Sequence, residues 1–382
     1  MEFYLINLYF PYLLAFFLAA VTVYFTVPAI IRVAKLKHLY DEPNEERKAS
    51  KIVVPTLGGV AIFLGFVLAV VLSSFRLEFN ELRYIVAALV ILLFVGLKDD
   101  ILYISPKSKL VGQLFVAFIL VFFADVRFTN LHGILGIHDI HYWISVPLSM
   151  FAIVVLTNSM NLIDGIDGLC SGIGISISMI YALFFYLNEE VDFALLALAL
   201  AGALVAFFIF NVFGKKNKIF MGDTGSLMVG FLVSIMTVKF NEIPLPDHRL
   251  FQILEPPALS VAIMIVPVMD TLRVFTLRIL DGRSPFSADR WHTHHQLLDL
   301  GLTHFRASLA YISYHFVFVA VALVLQHYIT DYKLLIALVA LAFAFISITS
   351  LLLKRKKEKL EKENELKDNA FNRFFIKLAD RH

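Results

Sequence analysis

The sequence predicts an all-α polytopic membrane protein with about eleven transmembrane helices. Of its 382 residues, 59% are hydrophobic, and the mean hydropathy is +0.79. Only 17% are charged, against roughly 25% in a typical soluble domain. The apolar runs are continuous, which indicates helices rather than the alternating strands of a membrane barrel. These observations exclude a soluble globular class for most of the chain.

Eleven apolar runs are long enough to be candidate spans when hydropathy is averaged over windows of about 19 residues. They lie near 8–31, 57–75, 84–97, 110–125, 144–157, 169–187, 191–213, 224–240, 257–280, 308–328 and 333–353. No basic segment precedes the first run, which is also too long for a signal peptide. We therefore expect the first run to be a transmembrane helix.

The distribution of Lys and Arg predicts the orientation. An odd number of spans places the two termini on opposite sides of the membrane. With a cytoplasmic C-terminus, the cytoplasmic segments hold 27 of the 33 Lys and Arg, at 32–54, 98–109, 211–221, 271–307 and beyond 353. This positive-inside bias predicts an outside N-terminus and supports the number of spans.

Charge and cysteine content narrow the function further. The net charge of +2 and the dispersal of basic residues over short loops do not suggest nucleic-acid binding. Cys170 is the single cysteine, which rules out an intrachain disulfide and disfavours a thiolate metal site. Residues 1–353 form the predicted membrane domain. The charged tail, 354–382, is predicted to be an interfacial cytoplasmic helix, with a frayed solubilising tail as the alternative.

Five polar clusters fall on the predicted cytoplasmic face, at 51–59, 98–109, 158–169, 211–226 and 281–295. The third reads Asn-Ser-Met-Asn-Leu-Ile-Asp-Gly-Ile-Asp-Gly-Leu between two apolar runs. Ionisable groups at membrane depth are costly, so Asp164 and Asp167 are functional candidates. A transporter needs polar groups along a path through the membrane. Their collection at one face favours cytoplasmic-face chemistry instead.

The acids suit a magnesium site. Asp99 and Asp100 are adjacent, and their repulsion would be relieved by a cation; a solvated helix end is the alternative. Asn161, Asp164 and Asp167 recur every three residues, which on a helix covers about a third of the circumference. A loop satisfied by local Asx turns is the alternative there.

Two further clusters suit phosphate. Gly222-Asp223-Thr224-Gly225-Ser226 opens a predicted helix, whose free N–H groups can bind phosphate oxygens; Asp223 acting as an N-cap is the alternative. The histidines of the last loop are close in sequence to Arg290. In this hypothesis they donate hydrogen bonds to phosphate oxygens. Three histidines also allow zinc, but the oxygen ligands on this face suit magnesium better. Asp270 is expected to form an internal ion pair with Arg273.

Together, these parts predict phosphoryl transfer between a lipid-borne phosphate and a nucleotide-linked donor. The motifs carry a resemblance as well: PTLGG at 55–59, Asp99-Asp100, NLIDGIDG at 161–168, FMGDTGS at 220–226 and HTHH at 292–295. In this order the chain resembles the polyprenyl-phosphate N-acetylhexosamine-1-phosphate transferases over nearly its whole length.

The resemblance implies transfer of a sugar-1-phosphate from a UDP-N-acetylhexosamine to undecaprenyl phosphate, with release of UMP. It further implies Mg²⁺, with Mn²⁺ as the alternative, and the bacterial cytoplasmic (inner) membrane. A homodimer is the candidate assembly. The products would start surface glycans such as O-antigen of lipopolysaccharide or teichoic acid in cell wall biogenesis.

The resemblance also implies roles for individual residues. The metal ligands would be Asp223 and Asn161, and the catalytic residues Asp99 as base, Asp100, Asp164, Asp167 and His294. The substrate-binding residues would be Lys51, Lys109, Asn211, Phe220, Arg290, His292 and His295, with Asn211 and Phe220 at the uracil.

The histidine motif bears on the donor. His-Thr-His-His differs from the three adjacent histidines of the UDP-MurNAc-pentapeptide branch, which favours UDP-GlcNAc. UDP-MurNAc-pentapeptide or another UDP-N-acetylhexosamine is the alternative donor. A transporter and a lipid phosphatase are the alternatives from other classes. Direct attack by the lipid phosphate is expected over a phospho-aspartate intermediate.

Overall fold

The computed structural model describes residues 2–39, 54–75, 78–243, 254–284, 292–329 and 332–379. These ranges hold thirteen α-helices and no strand beyond an isolated β-bridge between Asn130 and Asp139. The helices are α1 Glu2–Leu36, α2 Gly58–Ser73, α3 Leu82–Leu102, α4 Pro106–Phe123, α5 Tyr142–Leu162, α6 Leu169–Leu187, α7 Val191–Phe208, α8 Gly222–Asn241, α9 Pro256–Ile263, α10 Ile265–Leu280, α11 Thr293–Asp299, α12 His304–Leu325 and α13 Tyr332–Ala379.

Each of the eleven predicted apolar runs contains a helix or, in one case, a bent pair of helices. Eight helices are long and apolar enough to cross a membrane, and α9 with α10, bent by 75°, would make a ninth. The exceptions are α2, which has only 16 residues, and α3, which carries Lys98-Asp99-Asp100 just before its last two residues. The protein is therefore an all-helical, multi-pass membrane protein, while eleven crossings and their orientation stay predictions.

The helix that carries Asp223 lies at the centre of the bundle. In α8, 89% of the apolar window is buried, against 28% in α1 and α13. Gly59 of α2, Gly96 of α3 and Gly225 of α8 itself allow neighbouring backbones to approach the first turn of α8. A Cβ on Gly59 would lie 2.2 Å from the Gly225 nitrogen, and one on Gly96 would lie 2.3 Å from the Thr224 Cα. Small residues permit such close approach between membrane helices.

The PTLGG segment frames the same helix start. Its backbone pairs with the segment before α8: Phe220 N donates to Pro55 O at 2.8 Å, and Gly58 N donates to Phe220 O at 3.0 Å. Gly59 N donates to Met221 O at 2.9 Å. These hydrogen bonds give the motif a structural role, because they fix the chain direction from which α8 begins.

The C-terminal tail continues the last helix. α13 runs without interruption from Tyr332 to Ala379, so residues 354–379 are helical, as an interfacial helix requires. Their position on the membrane surface stays a prediction.

Candidate active site

The Lys109 ammonium joins three of the predicted site residues. Lys109 Nζ lies 2.5 Å from Asp223 Oδ1, 3.2 Å from Asp99 Oδ2 and 3.2 Å from Asn161 Oδ1. These side chains come from the ends of α3, α4 and α5 and from the first turn of α8. Four residues far apart in sequence therefore form one cluster of a cation, two carboxylates and an amide.

Asp100 closes the start of α8 from a different helix. Its Oδ1 accepts from Asp223 N at 2.7 Å, and its Oδ2 accepts from Thr224 N at 3.0 Å and from Thr224 Oγ1 at 2.6 Å. The first N–H groups of a helix have no partner within the helix, so Asp100 supplies one. The alternative that Asp223 caps its own helix is wrong, because α8 has no side-chain cap and Asp223 lies in its first turn.

Asn161 fixes the other side of Asp223. Its Nδ2 donates to Asp223 Oδ1 at 2.5 Å and to Ser226 Oγ at 2.7 Å. About one turn away, Gln113 and Asn158 exchange two amide hydrogen bonds of 3.1 and 2.7 Å between α4 and α5. Sequence reasoning missed this pair. The spacing could have indicated it: Gln113 lies four residues after Lys109 and Asn158 three residues before Asn161, and residues at these spacings share a helix face.

Asp164 is an acid without a protein cation. It lies in the loop between α5 and α6, and its carboxylate has no hydrogen-bond or ion-pair partner among the described residues. Burial raises its pKa well above the ordinary value, and the charges of Asp223, Asp100 and Asp167 raise it further. This excess of negative charge is what a bound cation would neutralise.

Asp167, by contrast, is paired. Its Oδ2 lies 2.6 Å from Lys218 Nζ and 3.3 Å from His304 Nδ1. Burial raises the pKa of Asp167, but the hydrogen bonds from His304 and Lys218 outweigh burial and leave the pKa below its ordinary value. Ser308 Oγ also donates to Asp167 O at 2.8 Å. Asp167 thus fastens its loop to α12, and sequence reasoning missed His304.

Asn211 contacts this loop directly, and Phe220 lies beside Lys218, which binds the loop at Asp167. Asn211 sits in a π-helical turn, 209–213, after α7; its Oδ1 accepts from Gly168 N at 2.7 Å, and its Nδ2 donates to Ile219 O at 3.0 Å. Asn211 therefore holds two backbone segments together. The Phe220 ring is partly exposed, with Lys218 Nζ 5.7 Å from its centroid. Its contact with uracil stays a prediction.

The histidine motif contacts the loop between α5 and α6 at Gly165. A Cβ at Gly165 would lie 2.2 Å from His294 Nε2, so only glycine allows this approach. His294 is 1% exposed, and neither of its ring nitrogens has a hydrogen-bond partner among the residues that the structure describes. Burial lowers the pKa of His294 to about 3, with Asp270 opposing the shift. His294 is therefore neutral near pH 7.

Asp270 has a different partner from the one expected. The described contacts include no ion pair between Asp270 and Arg273; Asp270 Oδ2 instead lies 2.7 Å from His292 Nδ1. Its Oδ1 accepts from Thr293 N at 2.8 Å. A partner on another element cannot be seen from spacing along one helix. Lys51 and Arg290, two predicted substrate-binding residues, lie outside the described residues.

The sequence is similar to those of known transferases. Residues 82–241 match the family model described as Glycosyl transferase family 4. A protein of Bacillus subtilis (strain 168), named probable undecaprenyl-phosphate N-acetylglucosaminyl 1-phosphate transferase, is 33% identical over 323 residues. That alignment covers 82% of this chain and 84% of the relative.

Two further relatives have similar names. The decaprenyl-phosphate N-acetylglucosaminephosphotransferase of Mycolicibacterium smegmatis is 30% identical, with 76% of each chain covered. The undecaprenyl-phosphate alpha-N-acetylglucosaminyl 1-phosphate transferase of Salmonella typhi is 29% identical, with 69% of this chain and 70% of the relative covered. This chain therefore belongs to the polyprenyl-phosphate N-acetylhexosamine-1-phosphate transferase family.

Proposed function

We propose that this protein transfers N-acetylglucosamine-1-phosphate from UDP-GlcNAc to undecaprenyl phosphate and releases UMP. The observation that carries the proposal is the cluster of Lys109, Asp99, Asn161 and Asp223, with the unpaired Asp164 beside it. Cations and a metal-binding carboxylate are the groups that phosphoryl transfer requires. The names of the relatives support the N-acetylglucosamine unit and the polyprenyl phosphate.

Mg²⁺ is the metal we propose, with Mn²⁺ as the substitute. Magnesium is usually held by one or two carboxylates together with substrate phosphates. Asp223 fits that description, because its side chain is 35% exposed while Asn161 and Lys109 hold one of its oxygens. Asn161 would be the second ligand, through Oδ1. When bound, the ion would neutralise charge on the donor diphosphate.

The proposed reaction is a single displacement. An oxygen of the lipid phosphate attacks the β-phosphorus of the donor, and the bond from that phosphorus to the bridging oxygen breaks. UMP takes the bridging oxygen and its electron pair. Asp99 accepts the proton of any singly protonated lipid phosphate, and Lys109 balances the charge of the reacting phosphates. Asp164 lies on the donor side of the site in this scheme.

Hydrogen bonding at the two adjacent aspartates supports displacement without a phospho-enzyme. Both oxygens of Asp100 accept hydrogen bonds from the start of α8. Asp99 accepts from Ile104 N at 3.0 Å through Oδ1, and its Oδ2 faces Lys109. Each carboxylate is therefore committed to a protein partner. Trapping of a phosphorylated Asp99 or Asp100 from donor alone would contradict the single displacement.

The location of the site follows from the proposed topology. We propose eleven crossings of the bacterial cytoplasmic membrane, with the N-terminus outside and the site on the cytoplasmic face. The positive-inside bias supports this orientation. A cytoplasmic site would receive the soluble UDP-sugar directly and the lipid phosphate from the membrane.

A donor panel tests the proposal. Purified protein is incubated with undecaprenyl phosphate, Mg²⁺ and one of UDP-GlcNAc, UDP-GalNAc, UDP-glucose or UDP-MurNAc-pentapeptide, and UMP is quantified. We expect the highest rate with UDP-GlcNAc and none when the lipid or the metal is omitted. Faster release with another UDP-sugar would overturn the donor. Substrate flux into liposomes without UMP release would support a transporter instead.

A further inference from the structure

A buried carboxylate stands behind the histidine motif. Asp270 lies in α10, one turn and a half past the 75° break that separates α9 from α10. It is only 2% exposed. A buried charge is costly unless it is paired and hydrogen-bonded, so its partners show what it stabilises.

The partners that the structure describes all lie at the start of α11. His292 Nδ1 donates to Asp270 Oδ2 at 2.7 Å, and Thr293 N donates to Oδ1 at 2.8 Å. His294 Nδ1 lies 4.0 Å from Oδ2. Asp270 therefore holds both the imidazole of His292 and the first backbone N–H of the helix. The use of Nδ1 leaves Nε2 as the nitrogen with which His292 can contact a substrate.

A metal does not explain this geometry as well as a hydrogen bond does. Asp270, His292 and His294 offer three ligand atoms within 4.8 Å of one another. Two ligands on a tetrahedral zinc, each at about 2.0–2.1 Å, would be separated by about 3.3 Å. The observed 2.7 Å between His292 Nδ1 and Asp270 Oδ2 is a hydrogen-bond distance.

We propose that Asp270 is a positioning residue that fixes the ring of His292 and presents its Nε2 to the donor diphosphate. This inference rests on the proposed function. A carboxylate behind a functional histidine fixes the tautomer and the orientation of the ring. Asp270 belongs to none of the five sequence motifs, and its contribution arises only because the fold brings this residue of α10 to the start of α11.

The polar surroundings of Asp270 provide a matched control. A small cavity of about 10 Å³ is lined by Asp270, Thr293, Tyr311 and Tyr314 together with apolar residues. The Tyr314 hydroxyl is buried and has no hydrogen-bond partner in the described part of the chain. Tyr314→Phe therefore alters the wall of the same cavity without breaking a contact to His292.

The test is a double-mutant cycle on donor kinetics. We expect Asp270→Asn to lower kcat/KM for the UDP-sugar about 10- to 100-fold. The asparagine NH₂ group cannot accept the hydrogen bond that His292 Nδ1 donates to the carboxylate. In the His292→Ala background the same change should cost less than about 2-fold, since the residue through which Asp270 acts is gone. Tyr314→Phe should keep wild-type rates. An equal fold-loss in both backgrounds would show a merely structural role and overturn the proposal.

A second measurement does not depend on the Asp270 variant being folded. In wild-type protein with ¹⁵N-labelled histidine, the His292 signals are assigned by their absence from His292→Ala. We expect a proton on Nδ1, and a neutral ring protonated on Nε2 alone would overturn the proposal. This readout is independent of turnover. If wild-type protein releases no UMP from any UDP-sugar, the proposed function fails while the tautomer still decides whether Asp270 holds His292.

Discussion

The starts of α8 and α11 use the same device in different surroundings. Each helix lacks a capping side chain of its own, and a carboxylate from a neighbouring helix accepts its first N–H groups. Asp100 of α3 does this for α8, and Asp270 of α10 does it for α11. Negative charge at a helix N-terminus is also favoured by the helix dipole. In both cases the helix start carries a site motif.

The two helices differ in how much else holds them. α8 has 20 residues, and most of its surface is buried against α2, α3, α5 and α6. α11 has only 7 residues and packs against α12 and α13. Short helices gain little stability on their own. The metal candidate Asp223 therefore stands on a rigid element, whereas the histidines depend on Asp270 and on the loop at Gly165.

The largest loss of activity should come from removing the charge of Asp223 in α8. Asp223→Asn should reduce transfer by about 10³-fold or more, because removal of one electrostatic stabiliser of a transition state already costs about 10²–10³ in kcat. Melting temperature in detergent should change little. Asp125→Asn, at a side chain that is 71% exposed, is the control. Near-normal activity of Asp223→Asn at ordinary Mg²⁺ would remove Asp223 as a ligand.

The next prediction distinguishes Asp100, which caps α8, from the adjacent Asp99. Asp100→Asn should lower both activity, by about 10²-fold, and melting temperature, because hydrogen bonds to a charged acceptor contribute about 1.5–3 kcal/mol each. Among the described contacts, Asp99 accepts no hydrogen bond from the backbone N–H groups at the start of α8. Asp99→Asn should therefore lower activity while its melting temperature stays closer to wild type than that of Asp100→Asn. Thermal scans and UMP assays of both variants decide this. Equal stability of the two variants would contradict the capping role.

A smaller effect is expected at the contact between the loop and the histidines. Gly165→Ala introduces a Cβ that would lie 2.2 Å from His294 Nε2, so the ring must move. We expect a loss of activity of about 10-fold and a destabilisation of about 1–3 kcal/mol. In the His294→Ala background the same alanine should cost no stability. If both backgrounds lose equally, the contact is not the cause.

The last effect concerns stability alone and depends on pH. The folded pKa of His294 is about 3, below the unfolded value of about 6.5. The folded state therefore binds this proton less tightly, and the stabilisation is full above about pH 6.5 and is lost as the pH falls toward about 3. One proton changes the free energy of unfolding by up to about 1.4 kcal/mol per pH unit.

Unfolding in mixed micelles between pH 4 and 8 measures this slope. His294→Gln should flatten it relative to wild type, whereas His138→Gln, at an exposed histidine, should leave it unchanged. A slope that is identical in all three proteins would mean that His294 is not buried in its neutral form.

Fold class and family could be predicted from the sequence because they depend on local patterns. Continuous apolar runs indicate helices whatever their neighbours, and FMGDTGS or NLIDGIDG are read directly along the chain. The same local view located Asp99, Asn161, Lys109 and Asp223, which the structure brings together.

Partners across helices could not be predicted in this way. Spacing along one helix predicts Arg273, one turn away, as the ion-pair partner of Asp270, because such spacing indicates only neighbours on the same helix. Its actual partner, His292, follows 22 residues later. Lys218 binds Asp167, which lies 51 residues earlier in the chain, and spacing along one helix does not show this pair either. The break between α9 and α10 was also missed, since averaged hydropathy shows 257–280 as one continuous apolar run.

The central claim is a single displacement at one site built on both helix starts. The most direct measurement uses UDP-GlcNAc labelled with ³²P in the β-phosphate and follows UMP, labelled lipid and free phosphate together, with and without undecaprenyl phosphate. We expect one UMP and one labelled lipid diphosphate per turnover, and no UMP from enzyme and donor alone. A burst of UMP equal to the enzyme concentration without lipid, or labelled free phosphate in place of labelled lipid, would contradict it.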